Sequence, residues 1–136
     1  MPSKILHTGI LVSSLEPAVK FYCNVFGFKK EKSFPLAANM MKELFGVNCP
    51  ASIEVLSSGS GSLELFMLEG APQEKPRSLG FAVSHIAIEV EAGGFDACLE
   101  RIRAAGCRVK AVNKEGRILF FAHDPSGNLI EMKSGK

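Results

Sequence analysis

The sequence of 136 residues has no tryptophan, a single tyrosine and only three histidines. Positive and negative side chains nearly balance, giving a formal net charge of +2, and the lysines and arginines are scattered along the chain. The sequence also lacks the apolar run of about 20 residues that a membrane-spanning helix needs. It therefore has neither the basic surface of a nucleic-acid binder nor a membrane segment, and we expect a small-molecule partner.

The four cysteines form no paired motif. Cys23, Cys49, Cys98 and Cys107 are widely spaced, which predicts neither a zinc knot nor a disulfide framework. Cys23 and Cys98 fall within predicted helices, where a reduced cysteine packs as a small apolar residue; a redox or catalytic thiol is the alternative. The first residues, MPSKILHTG, lack the apolar core of a signal peptide. We therefore expect a cytoplasmic protein with free thiols.

Two of the three histidines lie in a repeated phrase, LHTGILV around His7 and SHIAIEV around His85. Each phrase is followed by an apolar stripe of helical spacing and then by a glycine suited to end a helix. Gly27 comes 20 residues after His7, and Gly106 comes 21 residues after His85. The chain is therefore an internal repeat that begins with a strand and a helix.

Each repeat continues with alternating segments that predict three short strands, so the fold class is α+β with two paired β-α-β-β-β modules. Module 1 covers about residues 4–69 and module 2 about residues 80–134 of a single domain spanning 1–136, and the Pro- and Gly-rich segment GAPQEKPRSLG joins them. Neither repeat is long enough to bury a core alone, so we expect the modules to pack together or across a dimer. The predicted strands are 28–34, 50–57, 62–68, 107–113, 117–122 and 129–133.

Two local features add to this outline. Ser13 and Glu16 have the spacing of a capping box at the start of the first helix. The segment 35–49 is extra to module 1 and predicts a short helix. The apolar residues of this segment are Met40, Met41, Leu44 and Phe45. Their spacing is equally consistent with a helix that covers one end of the sheet, with core packing and with a dimer contact.

Strand alternation places both repeated histidines on the sheet face opposite the aliphatic residues that would contact the helices. Glu64 in LEL and Glu131 in IEM are each flanked by aliphatic residues, so by symmetry they join His7 and His85 on that face. Two imidazoles and two carboxylates suit a divalent ion and leave coordination positions open for substrate oxygens. The sequence thus predicts a metal site on one concave surface.

Three polar residues lie outside this repeated set. His123 has no counterpart in module 1, and we interpret it as a structural or rim residue, with substrate contact as the alternative. Glu54 and Glu89 are expected to be solvated or to lie on the pocket rim.

The segments HTGILVSSLEPAVKFYCNVFGF, LELF, SHIAIEV and FFAHDPSGNLIEM resemble the vicinal oxygen chelate superfamily, and within it the glyoxalase I-like lyases. The resemblance implies paired modules whose curled mixed sheet forms a metal-lined cup, often completed at a homodimer interface. It implies one divalent metal ion per site, Zn, Ni or Co, with Mn or Fe as alternatives. The implied ligands are His7, Glu64, His85 and Glu131, with Glu131 as the catalytic base and Glu64 as a second acid or base.

By this resemblance the protein is a metal-dependent lyase or isomerase that stabilises an enediolate while a proton moves next to a carbonyl. The substrate would be the thiol adduct of a 2-oxoaldehyde. Glutathione-using bacterial glyoxalases commonly carry an arginine where this chain has Leu11, and often an asparagine where it has Leu68. Both changes remove polar contacts to the thiol, so its identity stays open.

Two other classes share the resemblance. Extradiol dioxygenases and fosfomycin resistance enzymes bind their metal through three residues that match His7, His85 and Glu131 and do not need Glu64. A non-enzymatic binding protein would instead hold a hydrophobic molecule in the apolar cup.

Overall fold

The computed structural model describes residues 3–70 and 85–135. They form two β-α-β-β-β modules, as the sequence predicts, with one extra helix in module 1; the linker between the modules lies outside the described residues except for Gly70. No helix in these two ranges is long and apolar enough to cross a membrane. In chain order the elements are β1 (His7–Leu11), α1 (Leu15–Phe26), β2 (Lys29–Leu36), α2 (Ala38–Phe45), β3 (Ala51–Ser57), β4 (Ser62–Leu68), β5 (Ile86–Val90), α3 (Phe95–Ala104), β6 (Val109–Lys114), β7 (Arg117–His123) and β8 (Leu129–Ser134).

Each module has its own four-stranded mixed sheet. The strand orders are β1-β4-β3-β2 and β5-β8-β7-β6, with one parallel pair in each sheet, β1 with β4 and β5 with β8. The α+β class and the paired modules are thereby confirmed. The strands of the described chain make two separate sheets rather than one continuous curled sheet.

The first helix ends as predicted but begins differently. Gly27 stops α1 with φ 73°, in the left-handed region that glycine adopts without strain, and its N–H bonds back to the carbonyl of Cys23. The expected capping box is wrong, because Ser14 is the N-cap and makes no side-chain cap hydrogen bond. Ser13 instead donates its backbone N–H to Oγ of Ser126 at 2.9 Å, which ties the start of α1 to module 2.

One hydrophobic core serves both modules. It joins the helix α1 side of the first sheet to the helix α3 side of the second, and α1 contacts α3 directly. The core members from module 1 include Val12, Tyr22 and Leu65, and those from module 2 include Ile102 and Ile130. The expectation that neither repeat buries a core alone therefore holds within one chain.

The two sheets present their other faces away from this core. In β1 the buried residue Ile10 points toward α1, whereas His7 and Leu11 are exposed. In β5 the residues Ile86 and Ile88 pack against the core, while His85 and Ala87 lie on the exposed side. We call the sheet face opposite α1 or α3 the histidine face of each module.

Candidate metal centre

The first candidate pair is formed by neighbouring strands of module 1. Gly9 in β1 is opposite Glu64 in β4, so Glu64 shares the histidine face with His7, two residues earlier in β1. The His7 Nε2 and Glu64 Oε2 atoms are 3.5 Å apart, and the side chain of Glu64 is only 15% exposed. An imidazole and a carboxylate therefore meet at a sheltered point of the sheet.

The second pair repeats this arrangement in module 2. Ala87 in β5 is opposite Glu131 in β8, and His85 precedes Ala87 by two residues on the same face. The His85 Nε2 and Glu131 Oε2 atoms are 3.3 Å apart. The ring of Phe121 lies beside His85, with centroids 6.4 Å apart, and Nζ of Lys133 is 3.9 Å from Oε1 of Glu131.

The equivalence of the two pairs extends across the sheets. Residues directly opposite one another in adjacent strands put their side chains on the same face. Following the strand partners gives one row in each module, in which a small residue, the glutamate, an apolar residue and a lysine succeed one another. The rows are Gly9, Glu64, Val55 and Lys32 in module 1, and Ala87, Glu131, Phe121 and Lys110 in module 2.

The single chain holds the four residues as two pairs. Within residues 3–70 and 85–135, no group of three or more histidine, cysteine, aspartate or glutamate side chains is close enough to bind one metal ion. The two pairs are separate because α1 and α3 pack together in the shared core, and each histidine face is on the opposite side of its sheet. The described chain therefore presents one histidine–glutamate pair on each module.

The two pairs have the chemistry and the spacing of half-sites for a divalent ion. Imidazole nitrogen and carboxylate oxygen bind such ions at about 2.1 Å, so two ligands of one ion lie roughly 3.0–3.4 Å apart. The separation of 3.3 Å in the second pair lies within that range, and the separation of 3.5 Å in the first pair lies just above it. Each pair supplies two ligands and leaves room for others, so the donor set fits a divalent metal ion.

A cavity of about 580 Å³ adjoins the first pair. Its floor is the histidine face of module 1, including Leu11, Phe66 and Leu68, and its side is the helix α2. The extra segment 35–49 thus lines a cavity that also contacts His7 and Glu64. Met41 is buried there, whereas Leu44 and Phe45 are more than half exposed.

Of the three remaining polar residues, Glu89 is exposed as expected, whereas Glu54 is buried. His123 lies half-buried at the end of β7, on the same face as Glu131, and Glu89 is exposed. Glu54 was expected to be solvated, but it is 6% exposed and faces α1. Lys30 Nζ lies 3.0 Å from Oε1 of Glu54. Burial opposes its ionisation, but hydrogen bonds from Ser33 and Lys30 and the Lys30 charge hold the pKa of Glu54 below its usual value.

Sequence reasoning missed the buried aspartate that joins the modules. Asp124 is 3% exposed, and its Oδ1 accepts the backbone N–H groups of Ser126 and Asn128. Its Oδ2 accepts hydrogen bonds from Tyr22 and from the Asn128 amide. The signal was present in DPSGN, since an aspartate that bonds the backbone two residues later is typical of such a turn.

Cys23 and Cys98 lie in helices α1 and α3, as the sequence predicts, but only Cys98 of the four cysteines is fully buried. All four cysteines are free, and Cys98 is buried in the core. Burial raises the pKa of the Cys98 and Cys107 thiols, which keeps them protonated and poorly nucleophilic. Their environment favours the packing role over the catalytic one.

Comparison with known proteins agrees with this architecture. The family model described as Glyoxalase/Bleomycin resistance protein/Dioxygenase superfamily matches residues 4–132. Two lactoylglutathione lyases of Neisseria meningitidis, from serogroups A and B, are each 29% identical over 142 residues, covering 97% of this chain and 93% of theirs.

Solved structures give the same result. The trypanothione-dependent glyoxalase I of Leishmania major superposes with a TM-score of 0.71 at 26% identity, covering 98% of this chain and 87% of that one. A glyoxalase family protein of Bacillus cereus superposes with a TM-score of 0.76 at 18% identity, covering 98% and 95%, which shows the shared fold.

Proposed function

Because the chain belongs to the glyoxalase/bleomycin resistance protein/dioxygenase superfamily, we propose that it is a metal-dependent lyase or isomerase of the glyoxalase I type. The observation that carries the proposal is the histidine–glutamate pair, repeated in register on equivalent strands of both modules. The similarity to lactoylglutathione lyases supports the same reaction class. A site with two glutamates also favours this class over relatives that need three ligands.

The proposed site takes its ligands from two copies of the chain. His7 and Glu64 of one copy would bind the same ion as His85 and Glu131 of the other, so a symmetric dimer would hold two identical sites. Strands β1 and β5 are each at the edge of a sheet in the described chain. Leu6, beside β1, is 65% exposed, and an exposed apolar side chain next to a sheet edge favours cover by another chain. These features support a homodimer.

The chemistry assigns separate tasks to the two carboxylates. A bound divalent ion supplies positive charge that polarises a carbonyl oxygen and stabilises the negative charge that develops beside it. Glu131 is the proposed base: its carboxylate takes the proton from the carbon next to the carbonyl and returns it to the neighbouring carbon. Glu64 helps to hold the ion and is the second proton carrier. The sheltered positions of both carboxylates limit exchange of that proton with water.

The proposal is tested first by metal content. The protein is stripped with a chelator, reloaded from a mixture of Zn, Ni, Co, Mn and Fe(II), washed and analysed for metal per chain. We expect about one tightly held ion per chain, and Zn, Ni or Co would direct assays toward isomerisation of the hemithioacetals of 2-oxoaldehydes. Fe(II) as the preferred ion would point instead to oxygen chemistry.

Matched variants make this test specific. His7→Ala and His85→Ala should each lose the ion while circular dichroism shows an unchanged fold, because both side chains are partly exposed. His123→Ala is the control, since His123 lies on the same face as His85 but outside the two pairs. Retention of the metal by either pair variant, or no retained metal in the parent protein, would exclude the proposed site.

A further inference from the structure

The cavity beside His7 and Glu64 changes character along the strands that form its floor. Each step of two residues along a strand advances about 6.6 Å on one face. The row that contains Glu64 is followed by a row with Leu11, Phe66 and Phe34, and then by one with Leu68 and Leu36. The polar groups therefore lie at one end, and the cavity floor beyond them is apolar.

Helix α2 continues the apolar surface on the side of the cavity. The ring of Phe45 meets the ring of Phe66 edge to face, with centroids 5.7 Å apart. A Cβ at Gly9 would lie 3.2 Å from the Phe66 ring, so glycine at this position lets the ring keep its place. Among the described residues that line the cavity, His7 and Glu64 are the sole polar side chains, and none is a lysine or arginine.

The volume and the lining suit a ligand rather than bulk water. Small-molecule sites are commonly apolar cavities of about 300–1,000 Å³ with a few polar groups that fix orientation, and this one measures about 580 Å³. A carboxylate or ammonium group placed against Leu11 or Leu68 would lose its hydration without gaining a partner. The charged ends of a peptide thiol such as glutathione are therefore poor occupants of this cavity.

We propose that the cavity binds an uncharged apolar group, an aromatic ring or a branched alkyl chain, belonging to the molecule whose adjacent oxygens face the His7–Glu64 end. The inference rests on the proposed function for the role of those oxygens, but the apolar cavity can be tested without it. It assigns Leu11, Phe45 and Leu68 as specificity-determining residues, and it makes substrates with apolar bodies the preferred class.

The first experiment uses metal-free protein and N-phenylnaphthylamine, an uncharged dye that fluoresces in apolar surroundings. We expect saturable binding to the parent protein, and binding at least about fivefold weaker in Leu68→Asn and Phe45→Ala, which remove apolar contact area. Ile118→Ala is the control, because Ile118 is a similarly exposed apolar residue on strand β7 of module 2. Equal dye affinity in all four proteins would overturn the proposed cavity ligand. Absence of saturable binding would overturn it too, and would indicate that another copy of the chain covers the cavity.

The second experiment uses metal-loaded protein and two chelators with the same pair of adjacent oxygens, acetohydroxamate and benzohydroxamate. The phenyl group should improve affinity by about tenfold or more in the parent protein and in Ile118→Ala, and by much less in Leu68→Asn. Equal affinities for the two chelators in the parent would overturn the inference. Failure of both chelators together with intact dye binding would instead count against the metal site, so the two proposals fail in different ways.

Discussion

Tyr22 of helix α1 donates its phenolic hydrogen to Oδ2 of Asp124, at 2.8 Å, across the boundary between the two modules and 102 residues along the chain. Both residues are buried. Asn128, which bonds to the same carboxylate, also donates its side-chain amide to the carbonyl of Leu11 at the end of β1. One buried aspartate thus connects the helix of module 1, the strand that carries His7 and the turn that leads to β8.

This network should contribute measurably to stability. Tyr22→Phe removes one hydrogen bond to a charged acceptor that keeps three other donors, so the free energy of unfolding should fall by about 1.5–3 kcal/mol. Asp124→Ala should cost more, about 3–5 kcal/mol, because it leaves the Tyr22 hydroxyl and two backbone N–H groups without their acceptor. Urea denaturation followed by circular dichroism measures both. A change below about 0.5 kcal/mol in Tyr22→Phe would show that the bond is unimportant.

The single tyrosine also gives a prediction for alkaline pH. Burial, followed by the charge and hydrogen bond of Asp124, raises the pKa of Tyr22 far above its usual value. The unfolded chain loses the phenolic proton near pH 10 while the folded chain keeps it, so stability must fall as the pH rises above that point. Tyrosinate absorbance, which reports Tyr22 alone, should therefore appear only together with unfolding. Reversible ionisation near pH 10 in folded protein would contradict the buried placement.

The contact between buried Glu54 and largely exposed Lys30 predicts an opposite dependence at acidic pH. The pKa of Glu54 is lowered in the folded protein, so its ionised form stabilises the fold above its unfolded pKa, and this contribution disappears as the pH falls through the folded value. Lys30→Met should reduce the free energy of unfolding by about 1 kcal/mol at neutral pH, since Lys30 is largely exposed and water screens the pair.

The difference between Lys30→Met and the parent should shrink as the pH is lowered, because protonated Glu54 no longer needs a cation. Lys20→Met is the control, since Lys20 pairs with Glu16 in an exposed i, i+4 contact on α1 and should show little change at any pH. Denaturation midpoints measured from neutral to acidic pH test the prediction. A difference between Lys30→Met and the parent that stays constant over this range would assign the effect to packing of the lysine stem.

The repeat explains why so much of the architecture was predictable from the sequence. The phrases around His7 and His85 carry strand alternation, and that alternation is enough to assign the face of every side chain in β1 and β5. The same argument places Glu64 and Glu131. Strand β4 has the bounds that its pattern predicts, and the other strands differ at one or both ends by one or two residues.

The features that escaped prediction depend on contacts between distant segments. The capping box at Ser13 failed because Ser126, far away in the chain, takes that serine as its partner. Glu54 is two residues before Leu56 in β3, so strand alternation places it on the helix side of the sheet. A carboxylate is nevertheless expected in solvent unless a partner such as Lys30 is known. The repeat does not tell whether a site is formed by the two modules of one chain or by modules of two chains, because both arrangements bury similar surfaces.

A mixing experiment tests the two-chain site directly. If each site combines His7 and Glu64 of one copy with His85 and Glu131 of the other, His7→Ala and His85→Ala homodimers lack all intact sites. A heterodimer of the two variants has one doubly damaged site and one intact site, formed by module 1 of the His85→Ala chain and module 2 of the His7→Ala chain. Co-expression with two different affinity tags and purification through both should give heterodimers with about half the metal per chain of the parent.

The control heterodimer carries His7→Ala in one chain and Glu64→Gln in the other. Both changes lie in module 1, so each of its two sites is damaged and it should hold no tightly bound metal. Recovery of metal in the first heterodimer but not in the second would show that the two modules of one site belong to different chains. If neither folded heterodimer binds metal, the four side chains are not shared between copies in the proposed way. The first heterodimer would then lack the site that the proposal builds from module 1 of one chain and module 2 of the other.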